Sequence, residues 1–195
     1  MKVLVACEES QEVCKAFRAR GHEAFSCDIQ ECSGGHPEWH IKDDVIPYLD
    51  GVVWFHTQDG KRHVMCSKWD LIIAHPPCTY LTVAGNRHFD VSRYGQKAIE
   101  RLNDRVEAAE FFMQIVNAPC DHIAVENPVG YMNTHYRKPD QIIQPYYFGH
   151  PVSKKNLFMA EESPETGSNR YCRAGVYSQQ GEKRRLFGAV VACER

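Results

Sequence analysis

Cys78 is the residue of this 195-residue chain best placed for nucleophilic chemistry. It follows Leu71-Ile72-Ile73-Ala74-His75-Pro76-Pro77, where four apolar residues read as a buried parallel strand and the proline pair fixes the backbone beyond it. Open α/β sheets bind ligands outside the carboxyl ends of their strands, so a thiol in that turn would face a cleft. A second strand-like run, His122-Ile123-Ala124-Val125, delivers Glu126 to the same sheet edge, followed by Asn127-Pro128-Val129-Gly130. A thiol that adds covalently and a carboxyl that holds a proton are the two partners that covalent acid–base catalysis needs. Taken singly, each residue reads equally well as a packed loop cysteine or a strand-end acid. Their delivery to two strand ends favours a site.

The surrounding pattern supplies the elements that would position them. Val3 to Ala6 reads as a first buried strand. Ser10 to Arg20 reads as a helix with Val13 and Phe17 inward, closed by Gly21, and Glu23 to Cys27 as a second strand ending at Asp28. This is a β-α-β unit of the nucleotide-binding kind, and an acid at that strand end suits ribose hydroxyls. Val52 to Met65, with Asp59-Gly60 inside it, predicts a β-hairpin. The polar, basic stretch from Asn86 to Tyr94 predicts a lid. Gln96 to Asn117 predicts a helix with Ile99, Leu102, Val106, Ala109 and Met113 on its inner face. Asn156–Ala160 and Leu186–Val191 close the set of apolar segments, with a polar loop from Glu161 to Arg170 between them. The whole predicts an α/β, Rossmann-like fold: a mostly parallel sheet with helices on both faces, in one domain over residues 1–195.

Composition narrows the functional classes. No apolar run approaches a membrane span, and Glu8 and Glu9 interrupt the apolar N-terminus before a signal-peptide core could form. Nine cysteines without a repeating spacing argue against a disulfide framework and fit free thiols in a reducing cytoplasm. Cys27, Cys32, His36 and His40 loosely match a zinc ligand set. A strand position for Cys27 and the intervening Gly34, Gly35 and Pro37 argue against it. Cys120 begins a strand and is expected on the face away from the cleft. The formal net charge of −2 is not that of a dedicated duplex binder. Basic clusters at Lys61-Arg62-His63, Arg87-His88, Arg137-Lys138, Lys154-Lys155 and Lys183-Arg184-Arg185 nevertheless crowd the suspected site.

Three segments, in order, carry a resemblance. Pro77-Cys78 with Leu81-Thr82 and Ala84-Gly85 resembles the catalytic loop of the DNA cytosine-5 methyltransferase family. Glu126-Asn127-Pro128 resembles its Glu-Asn-Val segment, and Tyr147 to Phe158 its Gly-x-Pro-Gln-x-Arg-x-Arg block. The resemblance runs from the first strand to about Met159. It implies a methyltransferase fold that uses S-adenosylmethionine, and a chain resembling small, phage-like members without a separate target-recognition domain. Cys78 would be the nucleophile on cytosine C6, Glu126 the group meeting N3 and the exocyclic amine, Asn127 a holder of loop geometry, and Lys154 a contact to base or thiol. The donor would lie against Cys7, Glu8, Glu9, Asp28, Ile29, Asp44, Val45 and Pro76, with Asp44-Val45 approaching the adenine and Glu8 meeting the amino group. DNA would be the substrate, RNA or a nucleotide being the alternatives, and target recognition would come from a partner protein, self-association or the lid.

The chain departs from that family's pattern in four places. Ala6-Cys7-Glu8-Glu9-Ser10-Gln11 has no glycine where the family has two, and Val152-Ser153-Lys154-Lys155-Asn156 carries lysine for arginine. Only 36 residues follow Met159, and the last family block has no clear counterpart beyond Arg184 to Val191. These departures keep two alternatives open: a catalytically silent relative that binds nucleic acid or protein, and a cysteine-dependent enzyme acting on a free pyrimidine nucleotide.

Overall fold

A computed structural model describes residues 1–149, 151 and 156–162. Nine strands are described there: β1 (Lys2–Ala6), β2 (Glu23–Asp28), β3 (His40–Lys42), β4 (Trp54–His56), β5 (Arg62–Val64), β6 (Leu71–Ala74), β7 (His122–Pro128), β8 (Gln141–Ile143) and β9 (Asn156–Glu162). The helices are α1 (Glu12–Arg18), α2 (Val91–Tyr94), α3 (Gln96–Val116) and α4 (Met132–His135). Seven strands form one sheet in the order β3-β2-β1-β6-β7-β9-β8, parallel from β3 to β7 and antiparallel across β9 and β8. The chain leaves β1 toward β2 and β3, then returns to lay β6 on its other side. That reversal creates a switch point at the carboxyl ends of β1 and β6.

β1 is central because Val3, Leu4, Val5 and Ala6 have no exposed surface and serve both faces. Leu4 and Ala6 join Ile72, Ala74, Ile123 and Val125 under Phe112 and Ile115 of α3. Val3 and Val5 join Ile73 under Val13, Cys14 and Phe17 of α1. Helices therefore cover both faces, as the apolar runs predict. The hairpin forms as expected around Thr57–Gly60, but β4 and β5 make a separate two-stranded sheet. Its Phe55 packs on Phe25 and Trp69 and so caps the α3-side core.

One helix face differs from expectation. Ile99 and Val106 of α3 are 42% and 52% exposed, and Leu102 is exposed as well, whereas Ala109 and Met113 do pack against the core. The inward stripe runs Ala98, Arg101, Arg105, Ala108, Phe112 and Ile115. In its amino-terminal half this helix packs arginine, not aliphatic carbon, against the body of the protein.

Candidate active site

The loop that replaces the expected glycines is built by two non-glycine residues in the left-handed region, Cys7 (φ 59°) and Gln11 (φ 60°). Each such residue costs about 1–2 kcal/mol, and buried polar bonds offset it. Cys7 N–H bonds the Cys27 carbonyl at 2.8 Å. The fully buried Gln11 side chain accepts from His36 N–H at 3.0 Å and donates to the His36 carbonyl at 2.8 Å. Glu8 corrects the expectation set for it. Its carboxylate turns inward and accepts the N–H groups of Val13 (2.6 Å) and Cys14 (3.2 Å), closing the amino end of α1. Burial pushes its carboxyl pKa up, and those two bonds only partly oppose the shift.

At the switch point lies a cleft of about 590 Å³ lined by Cys7, Cys27, Asp28, Ile29, Gln30, Asp43, Asp44, Val45, Pro77, Thr79, Tyr80, Asp104, Glu107, Ala108 and Phe111. Five of the eight positions expected to hold a donor line it: Cys7, Asp28, Ile29, Asp44 and Val45. Glu8, Glu9 and Pro76 do not. Glu9 instead accepts from the Ser33 hydroxyl at 2.6 Å, and Pro76 is buried beneath the turn. The lining also brings in Asp43, which follows β3 beside the expected Asp44, and Asp104 and Glu107 of α3, which the apolar spacing of that helix placed on the wrong face. Among the described residues the lining contains five carboxylates and no lysine or arginine. The field is felt locally: burial, then the charges of Asp28 and Asp44, push the Cys7 thiol up to about 12. Asp28 and Asp44 also shape their own loops, accepting from Gln30 N–H (2.9 Å) and Ile46 N–H (3.1 Å).

Three of the four residues of the zinc set that the sequence disfavours are engaged elsewhere. Cys27 is buried in β2, and His36 stacks on Trp39 with ring centroids 3.7 Å apart. His40 is fully buried, its ring held by Ser26 Oγ and the Gln30 carbonyl, both at 2.9 Å.

Cys78 stands exposed in the turn beyond β6, its carbonyl accepting from the N–H groups of Leu81 (3.0 Å) and Thr82 (3.1 Å). The thiols of Cys14 and Cys120 are pushed up by burial, to about 12 and about 11, which suppresses their thiolates. Cys120 corrects its expected placement. It lies at the amino end of β7 within the α3-side core that backs the cleft, its Sγ 3.1 Å from the Trp69 carbonyl.

The Cys78 loop is stitched to the segment after Glu126. Thr82 bridges Gly130, Tyr131 N–H bonds the Leu81 carbonyl at 2.7 Å, and Val83 N–H bonds the Val129 carbonyl at 3.1 Å. A Cβ on Gly130 would collide with the Leu81 carbonyl, so this contact requires glycine. Buried Asn127 reaches Asn133 in α4 at 3.5 Å. Glu126 Oε2 lies 2.8 Å from His75 Nδ1, a partner the sequence did not single out.

The expected lid is a 3₁₀ helix over Val83–Phe89 followed by α2, and two arginines of α3 tie it down. Arg105 donates to the Tyr80 carbonyl (2.9 Å) and Asn86 Oδ1 (2.7 Å) and lies over the rings of Phe89 (3.5 Å) and Tyr131 (5.0 Å). Arg101, one turn earlier, donates to the Thr79 carbonyl at 3.2 Å and covers Tyr80. Arg137, from another basic cluster, is held in place by Asp140 (2.7 Å) and Glu161 (2.9 Å). Lys154, Lys155, the Lys183-Arg184-Arg185 cluster and the expected segment Leu186–Val191 lie outside the described residues.

A five-stranded parallel core continued by an antiparallel pair, with a cleft at its switch point, defines an α/β protein of the Rossmann-like methyltransferase fold. No family model matches the chain, and no curated protein matches it in sequence. Among solved structures, an E. coli prophage-encoded protein assigned as a DNA modification methyltransferase is similar with a TM-score of 0.50 at 13% identity. That match covers 85% of this chain and 47% of the other. The Entamoeba histolytica methyltransferase EhMeth gives a TM-score of 0.47 at 16% identity, over 84% of this chain and 53% of its own. The chain thus spans about half the length of each. At such identities the likeness establishes the fold. Among the described residues no helix is long and apolar enough to cross a membrane.

Proposed function

We propose that this chain transfers a methyl group from S-adenosylmethionine to C5 of cytosine in DNA through a covalent adduct on Cys78. The observation that carries the reading is the exposed Cys78 turn, stitched to the segment after Glu126 at the carboxyl ends of β6 and β7, beside a cleft of carboxylates. The cleft suits a cationic donor. Five carboxylates, with no basic residue among the described lining, would repel a phosphate-bearing cofactor, and the amino end of α1, where a dinucleotide's phosphates would dock, is already taken by Glu8. S-adenosylmethionine, when bound, supplies an electrophilic methyl group.

The rest of the chemistry falls to the chain's own residues. Cys78 thiolate adds to C6 of a base taken out of its stack, and the displaced electron pair moves toward N3, where Glu126 holds a proton. C5 becomes enamine-like and accepts the methyl group. Loss of the C5 proton to a base and expulsion of Cys78 as thiolate restore the ring, giving 5-methylcytosine, the demethylated donor and a proton. Asn127 keeps the Glu126 loop in register through Asn133, and Lys154 is assigned to base or thiol by resemblance. DNA approaches from the side of the basic loop, with target recognition supplied by that loop, a partner protein or a second copy.

The same cysteine addition on a free pyrimidine nucleotide is the second reading, favoured by the net charge of −2. Mass spectrometry of nucleosides from the DNA, RNA and nucleotide pools of cells expressing the chain separates the two. Methylcytosine in DNA supports the first, and modification confined to the nucleotide pool supports the second.

A further inference from the structure

We infer that His75 is a positioning residue for Glu126, fixing the carboxyl group that meets the pyrimidine ring; the inference rests on the cytosine reading above. The resemblance assigns roles to Pro76 and Cys78, on the carboxyl side of His75, but none to His75 itself.

Register brings the two residues together. Ala74 of β6 pairs with Val125 of β7, so His75 and Glu126 are the next residues on adjacent parallel strands. His75 Nδ1 lies 2.8 Å from Glu126 Oε2, with only 21% and 18% of the two side chains exposed. The imidazole is held from behind. His75 N–H bonds the Ala6 carbonyl of β1 at 3.0 Å, and the following Pro76 is buried and restricts the backbone of His75. Its other ring nitrogen, Nε2, is buried without a hydrogen-bond partner among the described residues. The ring is also close enough to Glu8, the carboxylate that closes α1, to act on it electrostatically. His75 therefore sits on a rigid strand end within reach of two carboxylates, one that orders the donor loop and one that meets the base.

A glutamate at a strand end has three side-chain torsions to settle before its carboxyl can meet N3. An N–H donated from Nδ1 to Oε2 selects one rotamer and one carboxyl plane, which is the preorganisation a proton-holding group needs. Neutral imidazole can serve as this donor only when its proton is on Nδ1.

The test compares full-length wild type, Cys78→Ser, His75→Ala, His75→Asn and His75→Leu. Modified cytosine is counted by nucleoside mass spectrometry in expressing cells. Methyl incorporation into unmodified genomic DNA is then timed with tritiated S-adenosylmethionine, and thermal melts confirm folding. Asparagine places an amide N–H near the position of Nδ1, whereas leucine fills the space without a donor. Alanine and leucine are expected to lower kcat by about 10- to 100-fold, asparagine to recover much of the loss, and KM for the donor to stay unchanged. A leucine variant as active as wild type, or asparagine no better than leucine, overturns the positioning role while leaving the site's reading intact. Absence of modified cytosine with wild type overturns that reading, and this inference with it.

Discussion

The acidic cleft and the segment beside it, which packs on the Cys78 loop, are built from opposite charges. In the cleft, Asp28, Asp43 and Asp44 follow β2 and β3 and face Asp104 and Glu107 of α3. Beside it, segment 87–105 carries Arg87, Arg93, Lys97, Arg101 and Arg105 against Asp90 and Glu100, its remaining acid, Asp104, belonging to the cleft. They also differ in what fixes them. The acidic side rests on backbone in unusual conformations held by buried polar bonds, and the Cys78 side on arginines laid over aromatic rings and carbonyls. A net charge of −2 averages this division away. The contrast suits a cationic donor on the first side and a polyanionic substrate on the second, so perturbing one side should leave the other's ligand largely untouched.

The strongest way to break that independence is Gly130→Val, which drives a branched side chain into the Leu81 carbonyl and parts the two stitched loops. Activity should fall by about 100-fold while calorimetric donor binding persists; loss of both together would mean that the sides are not separable. Next in size is Arg105→Ala, which removes two hydrogen bonds and the Phe89 ring contact from the segment after Cys78, and the Tyr131 ring contact from the segment stitched to it. It should cost about 2 kcal/mol and lower Tm by roughly 4–8 °C, with donor affinity unchanged, and an unaltered melt would remove the arginine's proposed hold on the loop. Asp44→Asn keeps the Oδ1 that accepts from Ile46 but deletes its charge, and should weaken the donor by about 1 kcal/mol, roughly fivefold, in titration calorimetry. DNA affinity should not change.

The smallest effect concerns Glu8. Because burial raises its carboxyl above the usual 4.5, the folded chain binds that proton more tightly than the unfolded chain does. The contribution of Glu8 to stability is then complete below about pH 4.5 and declines as pH rises through the raised value. Wild type should lose stability relative to Glu8→Gln as the pH is raised from 4.5 in denaturant titrations. A gain would mean that the helix-end bonds outweigh burial.

Strands were legible where composition left one solution: Val3–Ala6 and Leu71–Ala74 are too apolar to lie anywhere but mid-sheet. The carboxyl ends of Leu71–Ala74 and of the next parallel run, residues 122–125, then put Cys78 and Glu126 on the same edge. The face of α3 was not legible from apolar spacing, because Arg101 and Arg105 point inward to meet carbonyls and rings contributed by the loop after Cys78. Only the i, i+4 spacing of the two arginines hinted at it. Glu8 was read as a ligand group because the sequence does not show that Gln11 adopts a left-handed turn, which brings the backbone N–H groups of α1 under that carboxylate. His75 and Gly130 escaped notice for a related reason: both matter through partners distant in sequence, Glu126 and Leu81.

The central claim, a covalent cytosine-modifying site on Cys78, is tested most directly by mass spectrometry of nucleosides from the DNA and RNA of cells expressing wild type or Cys78→Ser. The account predicts 5-methylcytosine in DNA with wild type and none above background with the serine variant. Equal amounts in both, or no modified cytosine with wild type, would contradict it.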